Sequence, residues 1–394
     1  GIVSIENKYA FRNLNTLNYV WTLEANGEEI KTGSFQLNAA PGESALADLG
    51  LSQLEMKPNT EYFVNVYAQT QEATELVPEA YTVASEQFRL PGSEFKKFVY
   101  FTDGKLDMQE NNQSLNISGD DFLLVIDKQT GWISSYQIDG NELFEMPLQP
   151  DFWRAPIDND FGNNMPERCK VWKNLENSFE IKNWAVEQAI PGKISVIIEY
   201  TIERIKSEAQ IEYQIFPDGA VKVNSRFDLR KEDLPEIPRI GFRTRLASDY
   251  ENFRYFGKGP HENYVDRNTA AFVGLYESTA EEQYFPYIRP QENGYKTEVR
   301  WASLVNRRGE GLKVLGIPKF STSAMPYARE DFDPGEEKAQ RHTVDVTKRD
   351  FVEWHIDLKQ MGVGGDNSWG ARPHKQYRIY PGIYSFEFVI QAIQ

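Results

Sequence analysis

Carboxylates, amides and single aromatic rings crowd into four short stretches of this sequence. "DFWRAPIDNDFGNN" sets Asp158 and Asp160 two residues apart, with Arg154, Asn159 and Gly162 around them. "YFGKGPHENYVDR" places His261, Glu262 and Asn263 behind a Gly-Lys-Gly-Pro turn, and "PYIRPQENGYKTEVRW" adds Arg289, Glu292 and Asn293. "MGVGGDNSWG" brings Asp366, Asn367 and Trp369 after Gly362, Gly364 and Gly365. Paired carboxylates suit glycosidase chemistry, in which an acid and a nucleophile stand about 5–5.5 Å apart in retaining enzymes. Asp and Asn also bond their own backbone in turns, so Asp158 and Asp160 stay open between the two roles. His261 beside Glu262 reads either as an acid–base pair or as a loop histidine held for structure. His261, His342, His355 and His374 show no ligand spacing such as HxxxH, so no metal site is assigned. Trp369 either packs over a neighbouring loop or is held out towards a ligand. The three glycines before it are expected to supply the unusual dihedrals of a tight turn.

All four stretches lie between strand-like segments, where functional side chains sit on a rigid scaffold. "NYVWTLEANGEEIKTGSFQL" carries Asn-Gly between two alternating runs, a hairpin signal. Several such strands before residue 92 predict a small sandwich of the immunoglobulin or fibronectin kind over 1–92. Residues 93–104, mixed and polar, read as a linker. From 105 to 394 come "FLLVIDKQTGWISSYQIDGNELF", "ISVIIEYTI", "QIEYQIFPDGAVKVNSRFDL" and the closing "YSFEFVIQAI", predicting a large, mostly antiparallel double sheet. "MPERCKVWKNLENSF" alone reads as a short helix. Gly162 and the polar residues beside it predict a mobile segment over 161–166.

The 394 residues carry 59 acidic and 43 basic side chains, a net charge of −16, which disfavours a phosphate backbone as partner. No apolar run approaches the ~20 residues of a membrane span. With 24 Phe, 20 Tyr and 8 Trp the chain suits pleated surfaces and stacking on sugar faces alike. Cys169 is the single cysteine, which excludes an internal disulfide. The start at Gly1 reads as that of an excised piece, with any signal segment upstream. Bacterial cytoplasm and periplasm both stay open.

"FWRAPIDND", "YFGKGPHENYVDR", "PQENGYKTEVRW" and "MGVGGDNSWG", in this order, closely resemble the C-terminal region of large β-galactosidases of glycoside hydrolase family 2. The resemblance covers essentially the whole chain. It implies an all-β chain: an immunoglobulin-like sandwich, then a super-sandwich related in fold to galactose mutarotase. It also implies that the catalytic glutamates sit on a (β/α)₈ barrel of the same parent chain, so none of the carboxylates here is catalytic. Trp369, with Asp366 and Asn367, matches the loop that reaches the barrel's mouth and contacts substrate. Asp158, Asn159, Asp160 and Gly162 match a loop near the substrate entrance. Arg154, His261, Glu262, Asn263, Glu292 and Asn293 match structural loops. The implied partners are a galactoside and the barrel, with a homo-oligomer left open. Mg or Ca, and Na, belong to the barrel, and no cofactor is assigned to this chain. Two other readings stand beside it: a stand-alone carbohydrate-binding module, and an aldose 1-epimerase-like protein with a His/Glu pair on a concave face.

Overall fold

Asn26 and Gly27 both take left-handed φ values, 51° and 85°. They form the tight turn between Leu17–Ala25 and Glu28–Phe35, as the Asn-Gly signal requires. The computed structural model describes residues 1–92, 98–190, 192–231, 233–337, 339–367 and 369–393. They form two compact units: the described residues up to 92 with Val273–Leu275, and Phe98–Phe272 with the residues from Tyr276 onward. Within the predicted linker, 93–97 lie outside the described residues, and 98–104 carry no regular structure.

In the first unit, Glu28–Phe35, Leu17–Ala25, Tyr62–Thr70 and Thr82–Arg89 form one sheet in that order. Ile2–Glu6 and Ser44–Asp48 form a second, two-stranded sheet. Trp21, Leu23, Tyr62 and Val64 from the first sheet meet Val3 and Ile5 from the second in one apolar cluster. Period-two alternation along Leu17–Ala25 turns these residues inward.

In the second unit, the strands from Asp107–Glu110 to Ile383–Ile393 join edge to edge into one antiparallel sheet that curls back on itself. Asp218-Gly219 turns Ser207–Ile215 into Val221–Asp228, and Ile194, Val196, Ile198, Tyr200 and Ile202 of Lys193–Ile202 point into the core. The all-β reading holds. The expected single helix does not. Met165–Arg168, Lys170–Trp172 and Leu175–Ser178 are separate helical turns, broken at Cys169 and at Asn174, whose φ is 51°. Met165, Cys169, Trp172 and Leu175 are all buried, so packing of these four bends the segment against the sheet.

Three neighbouring strands of this sheet hold its most polar interior. Arg239–Ala247 lies between Phe144–Asp151 and Phe351–Gln360, with Gly241 opposite both Asp151 and Asp357. A Cβ on Gly241 would sit 2.2 Å from Asp357 Oδ1, 2.6 Å from its Cα and 2.7 Å from the Ile356 carbonyl. Backbone on the far side cannot yield as a side chain can. Gly241→Ala is therefore expected to destabilise the second unit by ~1–3 kcal/mol, the cost of overpacking, as read by urea unfolding. An unchanged midpoint would show that the strands part freely there.

Candidate functional site

The strands "RIGFRTR" and "EWHID" place charged residues at alternate positions, and alternation puts them on one face. Arg239, Arg243 and Arg245 therefore stand beside Glu353, His355 and Asp357, with Asp151 from the third strand. Their opposite face sends Phe242, Leu246, Trp354 and Ile356 into the apolar core. A register shift between Ile240 and Gly241 brings Gln360 back to the charged side, opposite Arg239.

Arg239, fully buried, is the centre of this layer. Its Nη2 donates to Glu292 Oε1 at 2.7 Å and to Gln360 Oε1 at 2.6 Å. Nη1 lies 3.4 Å from Asp151 Oδ2, and Nε lies 3.2 Å from Asp357 Oδ2. Nη1 also lies 2.6 Å from His355 Nδ1, which stands 3.3 Å from Asp151 Oδ2, and His355 Nε2 lies 3.2 Å from Glu353 Oε1. Asp151 is shared with Arg329. Burial pushes its carboxyl up, but Arg329, His355, Arg243 and Arg239 together outweigh it and hold it well below the usual range. Asp357 goes the other way: burial pushes its carboxyl up to about 7, against the pull of Arg239. The His355–Glu353 pair is buried in this layer.

The four polar stretches are fastened around this layer, largely by side chains bonded to backbone. Arg154 and Asp160 form a buried two-point ion pair, at 2.6 and 3.1 Å, and Asp160 Oδ2 also accepts the Ile157 N–H at 2.8 Å. Asp160 thus holds a turn together. Glu292, bonded to Arg239, accepts the Ala155 N–H as well. Asp158 donates its N–H to Gln291 Oε1 at 3.0 Å, and its Oδ1 stands 3.6 Å from Arg289 Nε. Arg289 in turn lies over the Phe161 ring at 4.4 Å. Glu262 binds Arg267, the Tyr287 hydroxyl and the Gly294 N–H. Asn263, fully buried, donates to the Lys258 and His261 carbonyls and accepts from the Thr297 N–H and hydroxyl. Asn293 accepts the Phe285 N–H and donates to the Gln291 carbonyl. His261 itself is exposed.

The segment over 161–166 lies across two short helical turns. Asp158–Gly162 is a helical turn, and Met165 and Pro166 of the next turn are buried. Asn159 Nδ2 reaches the Val363 carbonyl at 3.3 Å, joining this segment to the glycine loop.

That loop needs its glycines for a reason other than the one expected. Gly362, Gly364 and Gly365 do not take left-handed φ values; among the described residues of this stretch only Gly370 has a positive φ, 157°. What forbids a side chain is close approach. A Cβ on Gly362 would lie 2.3 Å from Asp266 Oδ2, and one on Gly365 would lie 2.9 Å from the Ala371 carbonyl. Asp266 carries no signal of this in the sequence, although it ends "HENYVD". Asn367 Oδ1 accepts the N–H groups of Trp369 and Ala371, and Asp366 Oδ1 pairs with His374 Nε2 at 2.8 Å. Ser368 lies outside the described residues. Trp369 is 80% exposed, as a ring held out from a loop should be.

Ile157, Glu262, Tyr264, Tyr287, Glu292 and Val363 line one cavity of about 160 Å³, so all four stretches meet at a single place. Beside it a larger cavity, about 720 Å³, is lined by His261, Glu262, Phe285, Tyr287 and Lys296. Lys296 is 2% exposed and donates to the Gly294 carbonyl at 3.1 Å. Burial, opposed by Glu262, brings its amine down to about 8.

The chain is similar to known proteins over most of its length. The family model described as β-galactosidase small chain matches residues 118–390, and that of β-galactosidase domain 4 matches residues 3–91. The chain belongs to the β-galactosidase small-chain family. A β-galactosidase of Priestia megaterium is 34% identical over 381 residues, covering 96% of this chain and 36% of that protein. One from Halalkalibacterium halodurans is 27% identical, covering 98% of this chain and 38% of that protein. The chain thus spans a little over a third of the length of these relatives. Among solved structures, a galactose mutarotase related enzyme from Lactobacillus acidophilus is similar to 73% of this chain and 97% of its own, at 12% identity and a TM-score of 0.37.

Two outcomes are expected from the geometry. Arg239→Met leaves Asp151, Glu292 and Asp357 buried without their shared cation, and is expected to cost ~3–5 kcal/mol in urea unfolding. A neutral result would mean that water or rearrangement replaces the guanidinium. Lys296 holds its proton less tightly when folded, at about 8, than at its ordinary 10.5. Between these values the unfolded chain binds more protons, so stability should rise with pH across that window, by up to about 3 kcal/mol. Subtracting the same titration of Lys296→Met isolates this contribution, and a flat or falling difference would contradict the burial of a charged amine.

Proposed function

We propose that this chain serves a β-galactosidase that hydrolyses terminal non-reducing β-D-galactosyl residues with retention, through a covalent galactosyl–enzyme intermediate. A (β/α)₈ barrel of the same parent supplies the acid/base and the nucleophile, together with any metal ions. The cluster of four polar loops frames the leaving-group side of the barrel's mouth and braces it. Family membership and the span of about a third of each relative support this division of labour.

The observation that carries the reading is the exposed Trp369 ring on a loop whose base is tied down. A flat ring stacked on the C–H face of a sugar excludes water and orients it, worth ~1–3 kcal/mol by analogy with the stacking of nucleic-acid bases on aromatic side chains. The carboxylates around it favour an auxiliary role. Asp160 is committed to Arg154, Glu292 to Arg239, Glu262 to Arg267 and Tyr287, and Asp366 to His374. A carboxylate so bonded is a poor proton shuttle, because every transfer breaks the contacts that hold it.

In the full-length enzyme, Trp369→Ala should lower kcat/KM for β-galactosides roughly 5–150-fold, the kinetic equivalent of ~1–3 kcal/mol, with melting unchanged. The 394-residue chain alone should not hydrolyse a chromogenic β-galactoside. Turnover by the chain alone, scaling with its concentration, would place catalytic groups here. Normal kinetics with a lowered melting temperature would make Trp369 a packing residue. Galactose binding by the chain alone, with normal kinetics in the full-length variant, would favour a stand-alone binding module.

A further inference from the structure

We infer that Asp266 is the positioning residue for Trp369. The carboxylate grips the glycine loop across sequence, so that the direction in which the indole points is set by a different loop from the one that carries it. This rests on the reading of Trp369 as a substrate contact, although the grip itself is a matter of geometry.

Asp266 Oδ1 accepts the Val363 N–H at 3.2 Å and Oδ2 accepts the Gly364 N–H at 2.7 Å. Two bonds to consecutive peptide groups fix both position and orientation, which one bond cannot do. Gly362 lies against the same carboxylate, within 2.3 Å of where its Cβ would be, and is itself tied to the Tyr377 carbonyl by its N–H at 2.8 Å. The carboxylate has a firm base. Its neighbour Arg267 is bound to Glu262, which holds the Gly294 N–H, and the Tyr264 and Arg267 backbones bond each other. The far end of the loop is gathered by Asn367, whose Oδ1 accepts from Trp369 and Ala371. Between these two fastenings the chain has few residues left in which to reorient. Glycine at 362 and 364 permits the close approach and offers no packing of its own, so the grip replaces the side-chain contacts that would otherwise orient such a loop.

Hydrogen exchange in the 394-residue chain reads the grip directly. Asp266→Ala should speed exchange of the Val363 and Gly364 amides about tenfold or more, because their acceptor is lost. Asp266→Asn retains one acceptor oxygen and should restore protection to one amide of the two. Gly362→Ala, which presses a methyl group on the intact carboxylate, should act as Asp266→Ala does. A fluorine label on Trp369 should report the change as a shifted and broadened resonance. Unchanged exchange and an unchanged label in these variants would overturn the assignment.

Kinetics of the full-length enzyme give the second arm. Asp266→Ala should lower kcat/KM as Trp369→Ala does, and adding it to Trp369→Ala should cost less than twofold more. Independent, multiplying losses would overturn the assignment, since Asp266 would then act through something other than Trp369. Should Trp369→Ala leave turnover normal while exchange responds as expected, the grip stands and the substrate reading of Trp369 falls.

Discussion

A fully buried guanidinium must find its partners in the protein, and Arg239 finds them on the two strands beside its own and on a loop. An isolated ion so placed would cost many kcal/mol, and leaving any one carboxylate unpaired costs several. The geometry of the second unit is therefore coupled at this point. Phe144–Asp151, Arg239–Ala247 and Phe351–Gln360 can pair in one register only. A slip by one residue would send the charged side chains into the apolar core and the apolar ones out. Such a cluster adds little net stability for its size, since desolvation offsets much of the attraction. Its effect is to single out one arrangement among many of similar burial.

Glu292 carries this constraint outward. One of its oxygens belongs to Arg239 and the other accepts the Ala155 N–H, so the layer beneath and the loop above share a residue. From there the loops bind one another: Asp158 to Gln291, Asn159 to Val363, Asp266 to Val363 and Gly364. Within the loop cluster, side chains stand in for missing backbone partners and so help to fix its shape. Precision at the surface is thus inherited from a charge buried well below it.

Much of the fold was legible because it rests on local rules. Asn26-Gly27 and Asp218-Gly219 demand turns, and alternation in "ISVIIEYTI" demands a strand with one buried face. The segment 165–178 misled because its buried residues fall near helical spacing while Asn174 takes a left-handed conformation that interrupts the helix. The glycine loop misled for a different reason. Glycine serves both unusual dihedrals and close approach, and only the position of Asp266, nearly a hundred residues earlier, distinguishes them. The four stretches were legible as a set, but their partners were not. Asp151, Arg239, His355 and Asp357 look unremarkable singly. Their signal lay in charged residues on one face of strands whose other face is apolar, and pairing across the chain gives it meaning.

The same buried layer bears on how the chain acquires its structure. Its members come from positions as distant as Asp151, Arg239, Glu292 and Asp357, and the loops between them must close before any charge meets its counterpart. Early hairpins such as Ser207–Ile215 with Val221–Asp228 need no such closure and gain from burial at once. Until the distant strands arrive, each carboxylate and guanidinium is better off hydrated, so collapse around a half-assembled layer is opposed by solvation. A charge in this layer is therefore desolvated at least cost when its partners on every strand are in place.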